Sequence, residues 1–589
     1  MKYYKSGAQG KSTRIPDGKT VWDLIEERLL LYKDIPAIKY FGRVISRPKF
    51  IDLVYTWARA FKALGVKDNE VIPYYGPFFP DVGAMALAMN IIGACPYFLK
   101  LEISPEALSE ETADSRIAIV YDDMWENASS EFSKERFEKI IIITVADAMI
   151  FPMKQIVSMR GKLNGGKRTI IPRGSKYIRL DQAKHFANNH PGEVRVPFVP
   201  DRPAFITSSS GTTVNGIVKG CVATNESTIA QLLMGEASGI QYYPGDSCLN
   251  HFPPTAATSL NALFFLPLYM GMTVLMDPRV SENDFYNQIL HLKPNIALTT
   301  GSSWEAFFNR IQNDMRKGKR INLSFAKGWT VGGEGTDVKK FTSWNEIMKK
   351  TGAKGIYSGY GTSELFSAVS VETVEARYNP KRPVLSVGLP YAGIVMGIFD
   401  TRGCELSYNH RGELWIKSRS AMKEYYKKPE LTAEVKKDGW IRTGDLAEID
   451  ENGFVYIWGR INDTVKLSNG QEIFLFDIAN RIKEKPFVDD AIVLPAVEGE
   501  QKKKLVAHIV WADNVSESEK AVCIEELNTM LRDYLPKELC LYAYVEHDGM
   551  LPYSSTTLKK DKNRLSKQTD GYFNVINGKL QEINEYSVL

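Results

Sequence analysis

The stretch EVIPYYGPFFPDVGAMALAMNIIG, Glu70–Gly93, decides the fold class of this chain. Its first part, Glu70–Tyr75, is apolar and aromatic, which predicts a short buried strand. Its second part, Pro80–Ile92, has the length of a helix, begins with proline and ends before Gly93. A buried strand followed by a helix is the repeating unit of proteins with parallel sheets.

The same alternation continues on both sides of this stretch. Helices are predicted at Val21–Tyr32 and Phe50–Leu64, and a strand is predicted at Ile117–Tyr121. A second α/β stretch runs from Pro203 to about Val374. The chain therefore predicts two subdomains, each built on a mostly parallel sheet that is covered by helices.

The chain changes character after these two subdomains. Pro383–Val455 is rich in predicted strands with Gly, Pro and Asp turns, which indicates a small β subdomain. A compact αβ segment follows as far as about Leu565, with a boundary near Asn462. We therefore predict an α/β fold, with a large N-terminal domain at 1–461 and a small α+β C-terminal domain at 462–589.

Composition limits the classes of function. The 589 residues carry a net charge of +4, which is too weak to indicate a nucleic-acid partner. Six widely spaced cysteines without a CxxC pair argue against a zinc site or a disulfide framework and favour the cytoplasm. The most apolar stretch, Leu260–Met276, is interrupted by Pro267 and Gly271, so we expect buried core and no transmembrane segment. The basic segment Met153–Tyr177 is predicted to be a solvated excursion, with docking to a membrane or partner as the alternative.

The stretch TSSSGTTVNGIVKG, Thr207–Gly220, combines short hydroxyl side chains, glycines and a lysine. Backbone N–H groups and hydroxyls of such a loop can converge on a phosphate, and the lysine adds a positive charge. A plain surface loop of the same composition is the alternative. GAQGKST, Gly7–Thr13, is only partly similar to a Walker A loop, because Lys5 stands where that loop has its first glycine.

Three further motifs contain groups that suit a nucleotide. GYGTSE, Gly359–Glu364, follows a predicted strand at Gly355–Ser358. It offers an aromatic face for a base, and a hydroxyl and a carboxylate for a phosphate and Mg²⁺. In Asp438–Arg460 a Thr-Gly-Asp turn presents the Asp445 carboxylate, which could accept hydrogen bonds from two ribose hydroxyls. LPYSSTTLKKDKNRL, Leu551–Leu565, supplies lysines on a polar loop. Taken singly, a packed turn, an Asx turn and a solvated basic face remain the alternatives.

The order and spacing of these four motifs resemble those of the adenylate-forming superfamily. That superfamily contains acyl-CoA synthetases, firefly luciferase and the adenylation domains of peptide synthetases. The resemblance covers about Thr20–Leu565 and is closest to the fatty-acyl-CoA synthetases. Further motifs in the family's order are VGGEGT (Val331–Thr336), SVGLPYAG (Ser386–Gly393), YYKKPELTAE (Tyr425–Glu434) and GRINDTVKLSNG (Gly459–Gly470).

The resemblance implies a role for each matching residue. It assigns the ATP phosphates to the Ser/Thr/Gly loop, namely Ser209, Ser210, Gly211, Thr212, Thr213, Gly216 and Lys219. Val214 and Asn215 look like an insertion in this loop, and Val218 replaces the usual proline. It assigns further ATP or AMP contacts to Gly333, Tyr360, Gly361, Asp445 and Arg460, with Tyr360 on adenine and Asp445 on the ribose. Ser363 would lie near the α-phosphate and Glu364 would bind Mg²⁺; both are counted with the catalytic residues.

The resemblance also implies a mobile C-terminal domain that rotates about Asn462 between two half-reactions. The catalytic lysine, which neutralises charge as a carboxylate attacks the α-phosphate, is Lys559, with Lys560 as the second choice because the motif is shifted by one residue. Ser468 and Gly470 lie in the segment that would meet the thiol of CoA or of a phosphopantetheine carrier.

We therefore predict an ATP- and Mg²⁺-dependent, AMP-forming acid–thiol ligase that transfers an acyl group to CoA. The segment His251–Gly271 matches the region that lines the acyl pocket in family members and contains no Asp or Glu. This composition favours a fatty or other hydrophobic acid over an aryl or amino acid. The alternatives are an adenylation enzyme that loads an acyl- or peptidyl-carrier protein and a non-catalytic binding or scaffold protein.

Overall fold

The computed structural model describes most of the chain. The described residues are 14–149, 172, 174–208, 217–238, 240, 242–279, 281–371, 384–469, 472–498, 503–537, 539–553, 559–566, 568 and 571–583. Within these residues, no helix is both long enough and apolar enough to cross a membrane. The predicted basic excursion at Met153–Tyr177 lies outside them except for residues 172 and 174–177.

The first part of the chain alternates helices and strands, as the sequence predicts. Its helices are α1 Val21–Leu31, α2 Arg47–Ala63, α3 Pro80–Ile92, α4 Pro105–Glu111, α5 Trp125–Phe132 and α6 Leu180–His185. Its strands are β1 Pro36–Tyr40, β2 Arg43–Ser46, β3 Val71–Tyr75, β4 Cys95–Phe98, β5 Ile117–Tyr121, β6 Lys139–Ile143, β7 Tyr177–Arg179, β8 Pro203–Ser208 and β9 Gly220–Thr224. Every residue of α3 is buried, which explains why that helix has no polar face. It ends at Gly93, whose φ of 76° is readily adopted by glycine.

The first sheet joins strands β3 to β9. Among the described residues its strand order is β7-β6-β5-β3-β4-β8-β9. Neighbouring strands are parallel except β8 and β9, which are antiparallel and place Ser208 opposite Gly220. The predicted phosphate loop therefore starts at the carboxyl end of a parallel strand, the edge at which α/β proteins commonly bind ligands.

The second part of the chain forms another α/β unit. Its helices are α7 Asn225–Glu236, α8 Ala257–Leu260, α9 Leu266–Tyr269, α10 Glu282–Leu292, α11 Gly301–Arg316 and α12 Val338–Lys350, with a π-helical turn at Asn261–Phe265. Its strands are β10 Ser247–Asn250, β11 Thr273–Met276, β12 Ile296–Thr299, β13 Gly328–Val331, β14 Ile356–Thr362 and β15 Ser367–Val371. The apolar stretch Leu260–Met276 is almost wholly buried within this unit, as expected.

The strand-rich segment that follows adds β16 Ser386–Pro390, β17 Val395–Phe399, β18 Gly412–Lys417, helix α13 Pro429–Val435, β19 Lys436–Lys437, β20 Trp440–Ile449 and β21 Val455–Arg460. These strands extend the second sheet. Within the described part of the chain its order is β17-β18-β20-β21-β16-β15-β14-β13-β12-β10-β11-β1-β2, with β19 on β20. In this sheet order, neighbouring strands between β14 and β11 are parallel, and neighbouring strands between β17 and β14 are antiparallel.

Strand β1 belongs to this second sheet, although it precedes the first sheet in the chain. It lies parallel to β11, with Ile38 opposite Val274. The two α/β units are therefore interleaved, and one hydrophobic cluster spans residues of both, from Val21 to Tyr425.

The C-terminal segment forms its own small α+β unit. Its strands are β22 Thr464–Lys466, β23 Glu472–Phe474, β24 Val488–Glu498, β25 Lys503–Trp511, β26 Leu539–Glu546, β27 Phe573–Ile576 and β28 Lys579–Glu582, and its helices are α14 Leu475–Lys483, α15 Lys520–Tyr534 and α16 Lys562–Ser566. Strands β24 to β28 form one sheet, in chain order, among the described residues. The hydrophobic cluster beneath it draws only on residues between Val465 and Val575. This separate core is consistent with the predicted small C-terminal domain.

Candidate active site

Several sequence motifs converge at the carboxyl ends of β13 and β14, which are parallel neighbours. The segment Gly332–Thr336 follows β13, and Tyr360 lies on β14. The aromatic motif was expected just after a strand at Gly355–Ser358, but the strand extends to Thr362 because it pairs with β15. Tyr360 is therefore fixed by a sheet rather than by a loop.

Tyr360, Asp445 and Arg460 are in direct contact. The Tyr360 hydroxyl donates to Asp445 Oδ2 at 2.5 Å, and Arg460 Nε lies 3.1 Å from Asp445 Oδ1. Asp445 and Arg460 face each other across β20 and β21. Burial raises the pKa of Asp445, while the Arg460 guanidinium acts in the opposite direction. The sheet thus holds a buried carboxylate between a phenol and a guanidinium.

Glu364 is held from the other side of the site. It lies in the short 3₁₀ turn Ser363–Leu365 that follows β14. The Tyr425 hydroxyl donates to Glu364 Oε1 at 2.7 Å, and the Met422 amide donates to the Glu364 carbonyl at 2.8 Å. Lys219 Nζ lies 5.4 Å from the centre of the Tyr425 ring. The lysine of the predicted phosphate loop and the predicted Mg²⁺ ligand Glu364 are therefore both next to Tyr425.

Lys559 lies against Gly333. Its Cε atom is 3.4 Å from the position that a Cβ atom on Gly333 would occupy, which is van der Waals contact distance. Burial lowers the pKa of Lys559, and the nearby Arg460 lowers it further. The carboxylates of Glu334, Asp445 and Glu364 act in the opposite direction. Lys559 therefore interacts electrostatically with Arg460, Asp445 and Glu364, which are predicted nucleotide-site residues.

Lys560 is directed to a different environment. Its Nζ atom lies 2.6 Å from Asp490 Oδ2 on β24. Its backbone N–H donates to Glu334 Oε2 at 3.1 Å. The structure therefore separates the two lysines that the sequence could not, with Lys559 toward the nucleotide-site candidates and Lys560 in an ion pair.

A cavity of about 40 Å³ adjoins these strands. It is lined by apolar side chains from the π-helical turn, α9 and β12, including Leu263, Leu266 and Leu298, and by Asn261, Thr330 and Gly359. The Asn261 amide nitrogen donates to the Phe366 carbonyl at 3.0 Å. The Asn261 side-chain oxygen is buried, and no described group donates a hydrogen bond to it. The cavity is thus mainly apolar, and the Asn261 side-chain oxygen is a buried acceptor on its wall.

His251 follows β10 near this region and is fully enclosed. Its Nε2 atom lies 3.2 Å from Thr299 Oγ1, and its ring packs against Phe252 and Phe285. Burial lowers the pKa of His251 to about 3, so the ring is neutral at physiological pH.

Several predicted residues cannot be placed. The loop residues Ser209, Ser210, Gly211, Thr212, Thr213 and Gly216, and the thiol-segment residue Gly470, lie outside the described residues. Asn462 and Ser468 are exposed residues in turns on either side of β22. The Asp463 amide donates to the Arg460 carbonyl at 3.1 Å, so Asn462 lies within a tight turn directly after β21.

The profile of the AMP-binding enzyme family matches residues 25–426 of this chain. The chain belongs to the AMP-binding enzyme family. The match covers more than half of the chain and includes β13, β14, the turn that carries Glu364, and Tyr425.

Relatives of this AMP-binding enzyme include proteins named as CoA ligases. A long-chain-fatty-acid–CoA ligase of Escherichia coli O157:H7 is 25% identical over 550 residues, which cover 87% of this chain and 91% of the relative. A probable CoA ligase, CCL8, of Humulus lupulus is 26% identical and covers 77% of this chain and 75% of the relative. Among solved structures, the anthranilate CoA ligase AuaEII in complex with anthranoyl-AMP matches with a TM-score of 0.74 at 17% identity, over 94% of this chain and 97% of that chain. The likeness to solved structures confirms the predicted α/β fold with a large N-terminal and a smaller C-terminal part.

Two residues of the AMP-binding enzyme's candidate site had no role assigned from the sequence. Tyr425 bonds to Glu364, and Glu334 accepts hydrogen bonds from the Ser302 amide at 2.6 Å and the Ser302 hydroxyl at 2.7 Å. Both lie in motifs that marked the resemblance, YYKKPELTAE and VGGEGT. Their place in these motifs was therefore the sequence signal that could have identified them. The contacts themselves could not be predicted, because their partners are distant in sequence.

Proposed function

We propose that this protein is an ATP-dependent, AMP-forming ligase that joins a carboxylic acid to CoA. In the first step a carboxylate oxygen attacks the α-phosphorus of ATP, and the bond to pyrophosphate breaks. In the second step the CoA sulfur attacks the acyl carbonyl, and AMP leaves as the thiol proton is lost. The position of Lys559, partly buried beside Gly333 and near Asp445, Arg460 and Glu364, carries this proposal.

The nucleoside would be bound by Tyr360, Asp445 and Arg460. Each Asp445 oxygen already has one partner, but each carboxylate oxygen can accept two hydrogen bonds. Both oxygens therefore keep capacity for the two ribose hydroxyls. Gly333 and Gly361 would let the backbone approach the nucleotide closely.

The phosphates would be bound by the Ser/Thr/Gly loop and Lys219. Among the described residues, no group of three or more His, Cys, Asp or Glu side chains could hold a metal ion. Glu364 fits Mg²⁺ because this ion is often held by one or two carboxylates, together with water and substrate phosphates. Bound there, Mg²⁺ would neutralise phosphate charge, and the Tyr425 hydroxyl would orient the carboxylate. Ser363 would face the α-phosphate.

Lys559 would act on the first step. Its ammonium group would stabilise the negative charge that the attacking carboxylate and the α-phosphate bring together. Because the lysine is partly buried, water screens this charge less than at the surface, and the interaction is correspondingly stronger. The second step would use Ser468 and Gly470 beside the thiol, after the small domain turns about Asn462.

The acid is proposed to be fatty or otherwise hydrophobic, because the cavity wall is mainly apolar. A volume of about 40 Å³ is small for a ligand pocket, so a long chain requires the surrounding side chains to move. Asn261 adds an acceptor that a hydroxyl on the acid could satisfy. Short, long, aryl and hydroxylated acids therefore belong in one substrate panel.

Acid-dependent exchange of labelled pyrophosphate into ATP tests the first step. We expect exchange with at least one hydrophobic acid, and exchange that stays at background with every acid would instead support a non-catalytic binding protein. The purified acyl-adenylate is then offered CoA or a phosphopantetheine carrier protein. Faster thioester formation with the carrier would replace the CoA ligase by a carrier-loading enzyme. Action in the cytoplasm is part of the proposal and is supported by the dispersed cysteines.

A further inference from the structure

Four charged side chains meet where the large and small parts of the protein touch. This charge cluster consists of Glu305 on α11, Lys340 on α12, Asp490 on β24 and Lys560. Asp490 Oδ2 lies 2.6 Å from Lys560 Nζ and 3.3 Å from Lys340 Nζ, and Lys340 also contacts Glu305. Two carboxylates thus face two ammonium groups, and the more exposed Asp489 lies 3.4 Å from Lys340 Nζ as well.

The two carboxylates of the charge cluster are sheltered from water. The side chains of Asp490 and Glu305 are 3% and 6% exposed. Although burial raises the pKa of Asp490, the ammonium groups of Lys560 and Lys340 outweigh it and hold the carboxyl ionised. Removing one partner would leave a buried charge uncompensated, which is far costlier than breaking an exposed pair.

The cluster fixes the residue next to Lys559. Lys560 is held twice, through its side chain by Asp490 and through its backbone N–H by Glu334. It also pairs with Tyr553 in an isolated antiparallel bridge, directly after a bend at Lys559. The Lys560 side chain is thereby held at Asp490, while the Lys559 side chain lies against Gly333. Because the two residues are adjacent in the chain, a shift of Lys560 would also displace Lys559.

We propose that Asp490, supported by Lys340 and Glu305, is a positioning residue that holds Lys560 and so places Lys559 for adenylation. The inference rests on the proposed function. Among the described residues, Asp490 forms ion pairs with Lys560 and Lys340 and none with a predicted ligand-binding residue. Because Lys559 serves the first half-reaction alone, loss of this anchor slows adenylation and spares thioester formation.

Asp490→Asn in the full-length protein tests the proposal, because it keeps the shape and removes the charge. Pyrophosphate exchange at saturating ATP and acid is expected to fall roughly 10- to 100-fold, as for a displaced reacting group. Thioester formation from supplied acyl-adenylate and CoA is expected to change less than about twofold. Equal losses in both half-reactions, or no loss in exchange, would overturn it.

Glu546→Gln is the matched control. It removes the 2.8 Å ion pair with the buried Lys520, and both partners lie in the C-terminal unit. Both half-reactions are expected to remain at wild-type rates. A selective loss of exchange in this variant would mean that any damaged ion pair in the small domain has the same effect, which contradicts the proposal.

Lys560→Met provides a second route should Asp490→Asn fold poorly, because Asp490 then keeps Lys340 as its counter-ion. It is also expected to lose exchange selectively, and the double variant is expected to lose little more than the worse single variant. If the losses of the two single variants multiply in the double variant, Asp490 and Lys560 act independently, which would contradict the proposal.

Hydrogen exchange of α12 and β24 separates this inference from the proposed function. Faster exchange confined to these elements in Asp490→Asn supports the anchor even if the wild type activates no acid. If the wild type is active and the hydrogen exchange of these elements is unchanged in the variant, the anchor is refuted and the proposed function stands.

Discussion

Lys559 and Lys560 are neighbours in the chain with different surroundings. Lys559 lies against a glycine in the field of three carboxylates, and Lys560 forms a short ion pair. Their motif is shifted by one residue from the pattern of the adenylate-forming superfamily. The sequence alone therefore left both as candidates for the catalytic lysine. The distinction depends on Gly333 and Asp490, residues far from both in the chain.

Lys559→Met is expected to reduce pyrophosphate exchange by roughly 100-fold or more, the usual effect of removing a group that stabilises charge in the transition state. Thioester formation from supplied acyl-adenylate should persist. Lys560→Met should lose less, because it acts through its neighbour. A larger loss for Lys560→Met than for Lys559→Met would show that the lysines have been assigned in the wrong order.

Asp445→Asn is expected to raise the KM for ATP at least about tenfold in the exchange assay and to change the KM for the acid little. The substitution replaces an acceptor oxygen by a donor group and leaves Arg460 without its counter-ion. Glu413→Gln, which alters the 2.8 Å pair with Arg442 on the same sheet, serves as the control. An unchanged KM for ATP would contradict the ribose role of Asp445.

His251 should make stability depend on pH. Its pKa is lowered to about 3 in the folded protein, whereas an unfolded histidine has a pKa near 6.5. Between these values the unfolded state binds a proton that the folded state does not, so stability falls as pH falls below about 6.5. At pH 5 this effect lowers the free energy of unfolding by about 2 kcal/mol.

His251→Phe removes this titration while keeping an aromatic ring between Phe252 and Phe285. The free energy of unfolding of the variant, measured by urea denaturation, should decline less than that of the wild type between pH 6.5 and pH 5. Parallel curves for the two proteins would show that His251 is protonated in the folded state as well.

At the scale of elements, the π-helical turn Asn261–Phe265 and strand β12 both line the cavity. A π turn inserts one residue into a helix and frequently lies at a functional site. The turn carries Asn261, Ala262 and Leu263 on the cavity wall. The size of these side chains should therefore set the length of the acid.

Leu298→Ala is expected to shift the preference toward longer or bulkier acids, because it removes side-chain volume from the cavity wall on β12. Ala262→Leu should shift the preference toward shorter acids. The measurement is kcat/KM over an acid series, with the KM for ATP as an internal control. An unchanged ranking in both variants would place the acyl chain elsewhere.

Local patterns predicted individual elements well. Helix α3 and strand β5 have the predicted bounds, because an apolar run between helix-end or turn residues is a local signal. Strand β14 is longer than predicted, since its last residues depend on pairing with β15. Strand β1 joins the sheet of β11, which periodicity near residue 36 could not indicate. Pairing partners are non-local information.

At the scale of the molecule, the family and the arrangement of motifs were predictable, because the order of eight or more motifs constrains the whole chain. The charge cluster was not, since its members lie on α11, α12, β24 and a C-terminal bridge. The domain boundary at Asn462 remains a prediction, supported by the separate hydrophobic cluster that begins at Val465.

Asn462→Pro tests rotation about this boundary. Proline fixes φ near −65° and restricts the preceding residue, so it limits rearrangement of the turn after β21. Thioester formation from supplied acyl-adenylate is expected to fall at least about tenfold, while pyrophosphate exchange is largely retained. Asn452→Pro, in the exposed turn before β21, is the control for proline itself. Equal loss of both half-reactions in Asn462→Pro would argue against a hinge there.

The contact between β1 and β11 has a consequence for biosynthesis. The Thr273 hydroxyl donates to the Pro36 carbonyl at 2.9 Å, and these residues are 237 positions apart. At about 5 to 20 residues per second, a ribosome needs roughly 10 to 50 s to make the intervening chain. During that time β1 has an unpaired edge, which is a template for misassociation. Nascent chains that stop before Thr273 should therefore depend on chaperones more than chains that extend past Met276.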